Sequence, residues 1–319
     1  MPYKQFDRSR LIIEPLAQRS HGVFLDDLLP LNAPVPPFDC KDLAKVSFKM
    51  QEAKRCNRAS ILVMGAHVIK RGCSRLVIDL MESGYINHVA LNGAGAIHDY
   101  ELALIGSTTE SVAKYIRTGQ FGMWRETGEI NDIAVAAVQS EMGLGEAIGS
   151  HIEQKAFAHR DISILAAGIR LGIPVTVHVG IGQDIIHQHP NCTGAALGET
   201  SYRDFLVFTE TVTRLEGGVM MCYGSAVMGP EVYLKALSMA RNVARQSGTS
   251  IAHFTTAVFD LIELGDDIHT EAPRADPRYY YRPYKTILVR TVADGGESYY
   301  IRGDHVETML NLRALLKQD

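Results

Sequence analysis

Two short apolar runs end in glycine turns and flank a helical stretch, and this arrangement limits the fold more than any other feature of the chain. The first run is Ala59-Ser60-Ile61-Leu62-Val63-Met64-Gly65-Ala66, and the second is Val89-Ala90-Leu91-Asn92-Gly93. Neither run alternates apolar with polar residues, which marks strands buried on both faces. Apolar residues recur at helical spacing over 68–83, closed by Gly84, and again over 98–105. Strand 59–65, helix 68–83, strand 87–91 and helix 98–105 form a βαβα run. That order predicts a parallel sheet with right-handed crossovers.

The pattern continues along the chain. Further strands are expected at 174–179, 218–222, 250–259 and 286–292, the last near a sheet edge. Helices are expected over 108–116, 130–142, 160–171, 204–214, after Pro230, and over 306–316. The fold class is therefore α/β, with one doubly wound, mostly parallel, six-stranded Rossmann-like sheet. Residues 1–45 hold Pro2, Pro15, Pro30, Pro34, Pro36 and Pro37 and read as an irregular arm. Residues 46–319 read as a single domain. Asp39 or Asp42 is placed to cap the helix after the arm.

Composition excludes several classes. The net charge of −4 over 319 residues offers no electrostatic footing for nucleic acid or an anionic membrane. No apolar run reaches the ~18 residues of a membrane span. The first residues lack the apolar core of a secretion signal, so a cytoplasmic location is expected. The five cysteines are scattered without a CxxC pair, which fits reduced thiols and disfavours a cysteine zinc site.

In an open parallel sheet, ligands bind along the rim formed by the strand C-termini. Three small-residue turns fall there: Gly65-Ala66, Gly93-Ala94-Gly95 and Gly224-Ser225-Ala226. The middle one has the spacing G-x-G-x-x-H, with His98 where a dinucleotide fingerprint has its third small residue. His67, His98, His178, His187, His189 and His253 fall at or near strand ends, where histidine serves as acid, base or ligand. His187 and His189 form an H-x-H pair without H-E-x-x-H, and no metal is expected. Asp99 and Asp184 follow glycine turns; each suits a ribose hydroxyl, a substrate ammonium or a helix cap. His253 reads as a core histidine or a functional one. Residues 274–285 hold four tyrosines, three arginines and a lysine, a composition suited to a pocket wall or an interface.

These motifs also carry a family resemblance. Ile61-Leu62-Val63-Met64-Gly65-Ala66-His67, Asn92-Gly93-Ala94-Gly95-Ala96-Ile97-His98-Asp99, the turn to Asp184, and Gly218 through Gly229 resemble deoxyhypusine synthase and its NAD-binding superfamily. The resemblance spans about residues 59–292. It implies NAD as cofactor, held by Gly65, Ala66, His67, Asn92, Gly93, Gly95, Gly224 and Ser225. It also implies a homotetramer acting on a small amine or amino acid. In this alignment Gly229 stands where the family has its imine-forming lysine, and the nearest lysine is Lys235. His67 replaces the family's asparagine, and His98 replaces one of an acidic pair. Residues 94–101 are also similar to the archaeal-type ornithine cyclodeaminase domain. Together the resemblances imply NAD-dependent oxidation of a C–N bond through an imine, handled by His98, Asp99, Asp184 and His187. Aminobutyl transfer through another lysine, as in deoxyhypusine or homospermidine synthase, and a non-catalytic NAD sensor are the alternatives.

Overall fold

The computed structural model describes residues 2–265 and 267–318. After an arm of short turns and the two-residue β1 (Val23–Phe24), helix α1 (Lys41–Arg55) leads into β2 (Ser60–Met64). The short α2 (His67–Lys70), α3 (Ser74–Glu82) and β3 (His88–Asn92) follow. Helix α4 (Gly93–Ile105) starts directly from β3. The long crossover then holds β4 (Ser107–Thr108), α5 (Val112–Tyr115), α6 (Arg125–Gln139), α7 (Leu144–Gln154) and α8 (Ile164–Leu171). Next come β5 (Val175–His178), α9 (Gly194–Val212), β6 (Val219–Tyr223), α10 (Met228–Gln246) and β7 (Thr255–Asp260). A π-helical segment, Pro283–Arg290, precedes β8 (Glu297–Arg302) and α11 (His305–Leu316).

The six long strands lie in the order β5-β3-β2-β6-β7-β8, and every neighbouring pair is parallel. The chain therefore winds one way from β2 through β3 to β5 and the other way from β6 to β8. The point of reversal lies between β2 and β6, where doubly wound sheets open a ligand crevice. Alternate side chains of β2 serve opposite cores. Leu62 and Met64 pack with α1, α3, α4 and α11, while Ile61 and Val63 pack with α9, α10 and the π-helical segment. All five residues of β2 and of β6 are buried, as the unbroken apolar runs require.

The β5 edge is closed by side chains of α9. The Val177 N–H donates to the Asp204 carboxylate, the Ser201 hydroxyl donates to the Val177 carbonyl, and the Val179 N–H donates to Ser201 Oγ. Such cover denies the edge to a foreign strand. Beside it, Thr176 Oγ1 contacts ring nitrogens of both His88 and His178 at 3.0 Å. Burial pushes both histidines down to about 3, so they are neutral parts of the core. His178 is thus part of the edge packing.

Several elements differ from expectation. Residues 286–292 are not a strand: the segment coils as a π-helix that lays Ile287 and Leu288 on the sheet, and the edge strand is Glu297–Arg302. Apolar β-branched runs suit either state when one face is buried. β7 begins at Thr255, because Glu216 hooks the Ala252 and His253 N–H groups and the exposed His253 ring outside the sheet. The 68–83 helix breaks in two at Gly72, and the 204–214 helix starts ten residues earlier, at Gly194. Neither Asp39 nor Asp42 caps α1; Cys40 holds the cap position, and Asp42 pairs with Lys45.

Candidate functional site

The rim holds two glycine turns of opposite character. At the end of β3 the expected loop is already helix, because the Asn92 side chain accepts from the Gly95 N–H at 2.9 Å and starts α4 at Gly93. Asp184, from the loop after β5, sets its carboxylate against this helix start. Its Oδ2 lies 2.1 Å from where a Cβ on residue 93 would sit, so only glycine fits there. The Ala94 N–H donates to this carboxylate, yet burial still pushes its pKa up to about 6. The position where an α4 phosphate would bind is thus filled by the protein's own anion. Asn92, Gly93 and Gly95, expected to hold the cofactor, shape and cap this contact.

The turn after β6 is open. Gly224 takes φ +58, and its carbonyl oxygen lies 2.3 Å from where a Cβ on Gly65 would sit, so the β2 and β6 turns meet back to back at the reversal point. Ser225 Oγ accepts from the Gly229 N–H at 2.9 Å, while Ala226 and Val227 face solvent. Over Gly224 stands the ring of His305, whose buried Nδ1 has no hydrogen-bond partner among the described residues. A 19-residue helix, α10, starts here. Exposed residues at a long helix start, beside a glycine, fit the phosphates of a dinucleotide. His67 is exposed at the start of α2, close enough for its charge to act on both His98 and His305.

Between the α4 start, the Asp184 loop and the arm lies a cavity of about 220 Å³, lined by Lys70, His98, Glu101, Glu110, Asp184 and arm residue Arg19 among others. Burial pushes His98 down to about 4, so it is neutral at pH 7. Its Nδ1 lies 2.7 Å from Thr108 Oγ1. Glu101 forms a buried ion pair with Arg19 at 2.7 Å. Burial would raise the Glu101 pKa, but Arg19, Thr108 and Thr127 bond to it and hold it below the usual value. Glu110 is raised by burial while accepting from the Trp124 indole and the Gly122 N–H. Lys70 forms no ion pair among the described residues.

Of the expected catalytic residues, the structure brings His98 and Asp184 together and leaves two outside the cavity. Asp99 is buried on another face of α4, where it accepts from the Ser163 hydroxyl and the Ile164 and Leu165 N–H groups and so caps α8. His187 Nδ1 accepts from the Gly182 and Asp184 N–H groups and shapes the loop that carries Asp184. His189 bonds the Gly122 carbonyl, so the H-x-H pair does not converge. Among the described residues no three His, Cys, Asp or Glu side chains are grouped to hold a metal. Arg19, Lys70, Glu101 and Glu110 escaped the sequence reading. His98 and Glu101 stand three apart and share a helix face, which was a usable signal. Arg19 and Glu110 lie far off in sequence and carried none.

No family model and no curated protein matches the chain. Solved structures do. ArgZ, an arginine dihydrolase from the ornithine–ammonia cycle in cyanobacteria, superposes with a TM-score of 0.51 at 14% identity, over 88% of this chain and 33% of that one. AgrE in a ternary complex with ornithine and NAD+ gives 0.52 at 13%, over 89% and 34%. A conserved putative LOR/SDH protein from Methanococcus maripaludis S2 gives 0.50 at 17%, over 91% and 74%. The chain spans about a third of the length of ArgZ and AgrE. At these identities the likeness is one of fold, and it agrees with the Rossmann-like α/β sheet. No helix among the described residues is long and apolar enough to cross a membrane.

Proposed function

We propose that this chain is an NAD-binding enzyme that oxidises a small amine or amino acid at a carbon–nitrogen bond. The carrying observation is the cavity at the α4 start, where neutral His98, the carboxylates Asp184 and Glu110, and Lys70 meet. AgrE, of similar fold, was solved with ornithine and NAD+, which supports the ligand pair. Gly224 and Ser225 would hold NAD, with Gly65, Ala66 and His67 beside them. When bound, NAD accepts a hydride from the carbon that bears nitrogen. Asp184 and Glu110 attract the ammonium group. Lys70 faces a carboxylate or other anionic end of the substrate. His98 takes the proton that leaves nitrogen, since a neutral imidazole is a competent acceptor at pH 7. The Arg19 arm segment screens the cavity from water.

The test begins with mass spectrometry of small molecules released from the denatured protein and an NAD titration beside it. A panel of amines and amino acids is then followed by NADH absorbance. Turnover on one panel member, lost in His98→Ala with NAD binding retained, is the expected result. Absence of NAD binding would end the reading, and full turnover in His98→Ala would end the role of that residue.

A second reading, aminobutyl transfer of the deoxyhypusine synthase type, is favoured by one observation. Lys285 is buried on the π-helical segment, with Nζ 3.6 Å from the centre of the Tyr279 ring. A sheltered amine on irregular helix is the kind of group that forms imines. Lys235 is a poorer candidate, being exposed and ion-paired with Glu231. Borohydride trapping with labelled spermidine should mark Lys285 under this reading, and an unlabelled protein would remove it.

A further inference from the structure

The donors around Glu101 can be counted completely, and the count determines the chemistry of His98. Arg19 gives two N–H bonds to the carboxylate, Nη1 at 2.8 Å and Nη2 at 2.7 Å. Thr108 and Thr127 each give a hydroxyl, both at 2.6 Å. A carboxylate has about four lone-pair sites, so Glu101 is saturated as a pure acceptor. Arg19 cannot be deprotonated, which keeps Glu101 ionised and unable to donate. All four residues are almost fully buried, so water does not substitute for these partners.

The one hydroxyl proton of Thr108 therefore goes to Glu101. Thr108 Oγ1 meets His98 Nδ1 at 2.7 Å with only lone pairs left to offer. Nδ1 must supply the proton of that bond. In a neutral imidazole the other nitrogen is then bare. The hydrogen bond of the His98 ring among the described residues is the one at Nδ1, and the ring lines the cavity.

We infer that Arg19, Glu101 and Thr108 act as a positioning relay that holds His98 in its Nδ1–H tautomer and presents Nε2 to the cavity as a proton acceptor. The tautomer follows from the hydrogen bonds alone; its use on a substrate rests on the amine-oxidising reading. In that use one N–H bond of the substrate ammonium breaks, its electron pair stays on nitrogen, and the proton bonds to Nε2. The imidazolium that forms stands one hydroxyl away from the Glu101 charge, which stabilises it. The arm enters the site by this route: Arg19 acts on His98 through Glu101 and Thr108 and keeps the relay pointed one way.

The test is a side-chain proton–nitrogen correlation spectrum of the full chain labelled with 15N-histidine. His98→Gln identifies the signals of residue 98 among the twelve histidines. The expected result is a protonated Nδ1 and a bare Nε2 at pH 7. Thr108→Ser should keep that pattern, and Thr108→Val should lose it. An Nε2–H tautomer in the wild type, or an unchanged pattern in Thr108→Val, would overturn the relay. If Thr108→Val does not fold, the wild-type spectrum still decides the tautomer. Turnover separates the two claims: Thr108→Val should slow kcat by roughly tenfold or more, with rescue by Thr108→Ser. The expected spectra with no change in kcat would leave the relay standing and sink the acceptor role of His98 in the proposed reaction.

Discussion

The turns after β3 and β6 are both glycine-bearing strand ends on one rim, yet one is closed and the other open. After β3, Asp184 and Asn92 take the N–H groups of the α4 start, and the space a phosphate needs holds a carboxylate. After β6, Ser225 takes the Gly229 N–H, the His305 ring stands over Gly224, and Ala226 and Val227 are exposed with no protein anion set against the α10 start among the described residues. Glycine at residue 93 makes room for a side chain of the protein itself. Gly224 permits a left-handed turn beneath the His305 ring, and the residues that follow it, Ala226 and Val227, stay exposed. The same residue type thus marks opposite surfaces, and only the tertiary neighbours tell them apart.

The largest expected effect tests whether the closed side is a built structure. Arg19→Met strands the buried Glu101 charge and should cost about 3–5 kcal/mol of stability, read by urea unfolding. The matched change on the open side, Arg71→Met, breaks an exposed pair with Asp304 and should cost about 0–1 kcal/mol. Equal losses would erase the contrast.

Next in size is the chemistry of the closed turn. In Gly93→Ala the new Cβ collides with Asp184, so the carboxylate must leave the α4 start. Turnover should fall by roughly tenfold or more if that carboxylate orients substrate. Unchanged kcat/KM would free Asp184 of any role.

The smaller effects come from titration of Asp184. Only its ionised form attracts an ammonium, so kcat/KM should decline as pH drops below about 6, and Asp184→Asn should lack that limb. Stability should move the other way. The folded pKa is raised from 3.8 to about 6, so the folded protein binds this proton more tightly than the unfolded chain. That contribution is fully present below 3.8 and is lost as pH rises through 6. Asp184→Asn should therefore gain in melting temperature relative to wild type on going from pH 4 to pH 7. A constant difference across that range would mean that Asp184 is not desolvated by its place on α4.

Much of this was legible in the sequence for a physical reason. Strands buried on both faces need unbroken apolar runs, and their βα turns need small residues, so β2, β3, β5 and β6 and the rim they share could be read directly. The helical spacing of His98 and Glu101 also puts both on one face of α4, a signal that the sequence reading passed over. What could not be read depends on contacts between distant segments. Asp184 reaches Gly93 from 91 positions away, and Arg19 reaches Glu101 from 82. Asp99 and Asp184 carry the same local signal, an acid after a glycine turn. One caps α8 from inside the core and the other lines the cavity. The π-helical segment at 283–290 was misread as a strand because its apolar, β-branched run fits either state once one face is buried.

NAD titration by calorimetry of the wild type, Gly224→Ala and Gly93→Ala bears most directly on the central claim. A Cβ at residue 224 would be strained at φ +58 and would displace the His305 ring. The expected result is saturable binding to the wild type, weakened about tenfold in Gly224→Ala and held in Gly93→Ala. No binding to the wild type, or a loss in Gly93→Ala alone, would contradict the account and move the cofactor off the open turn.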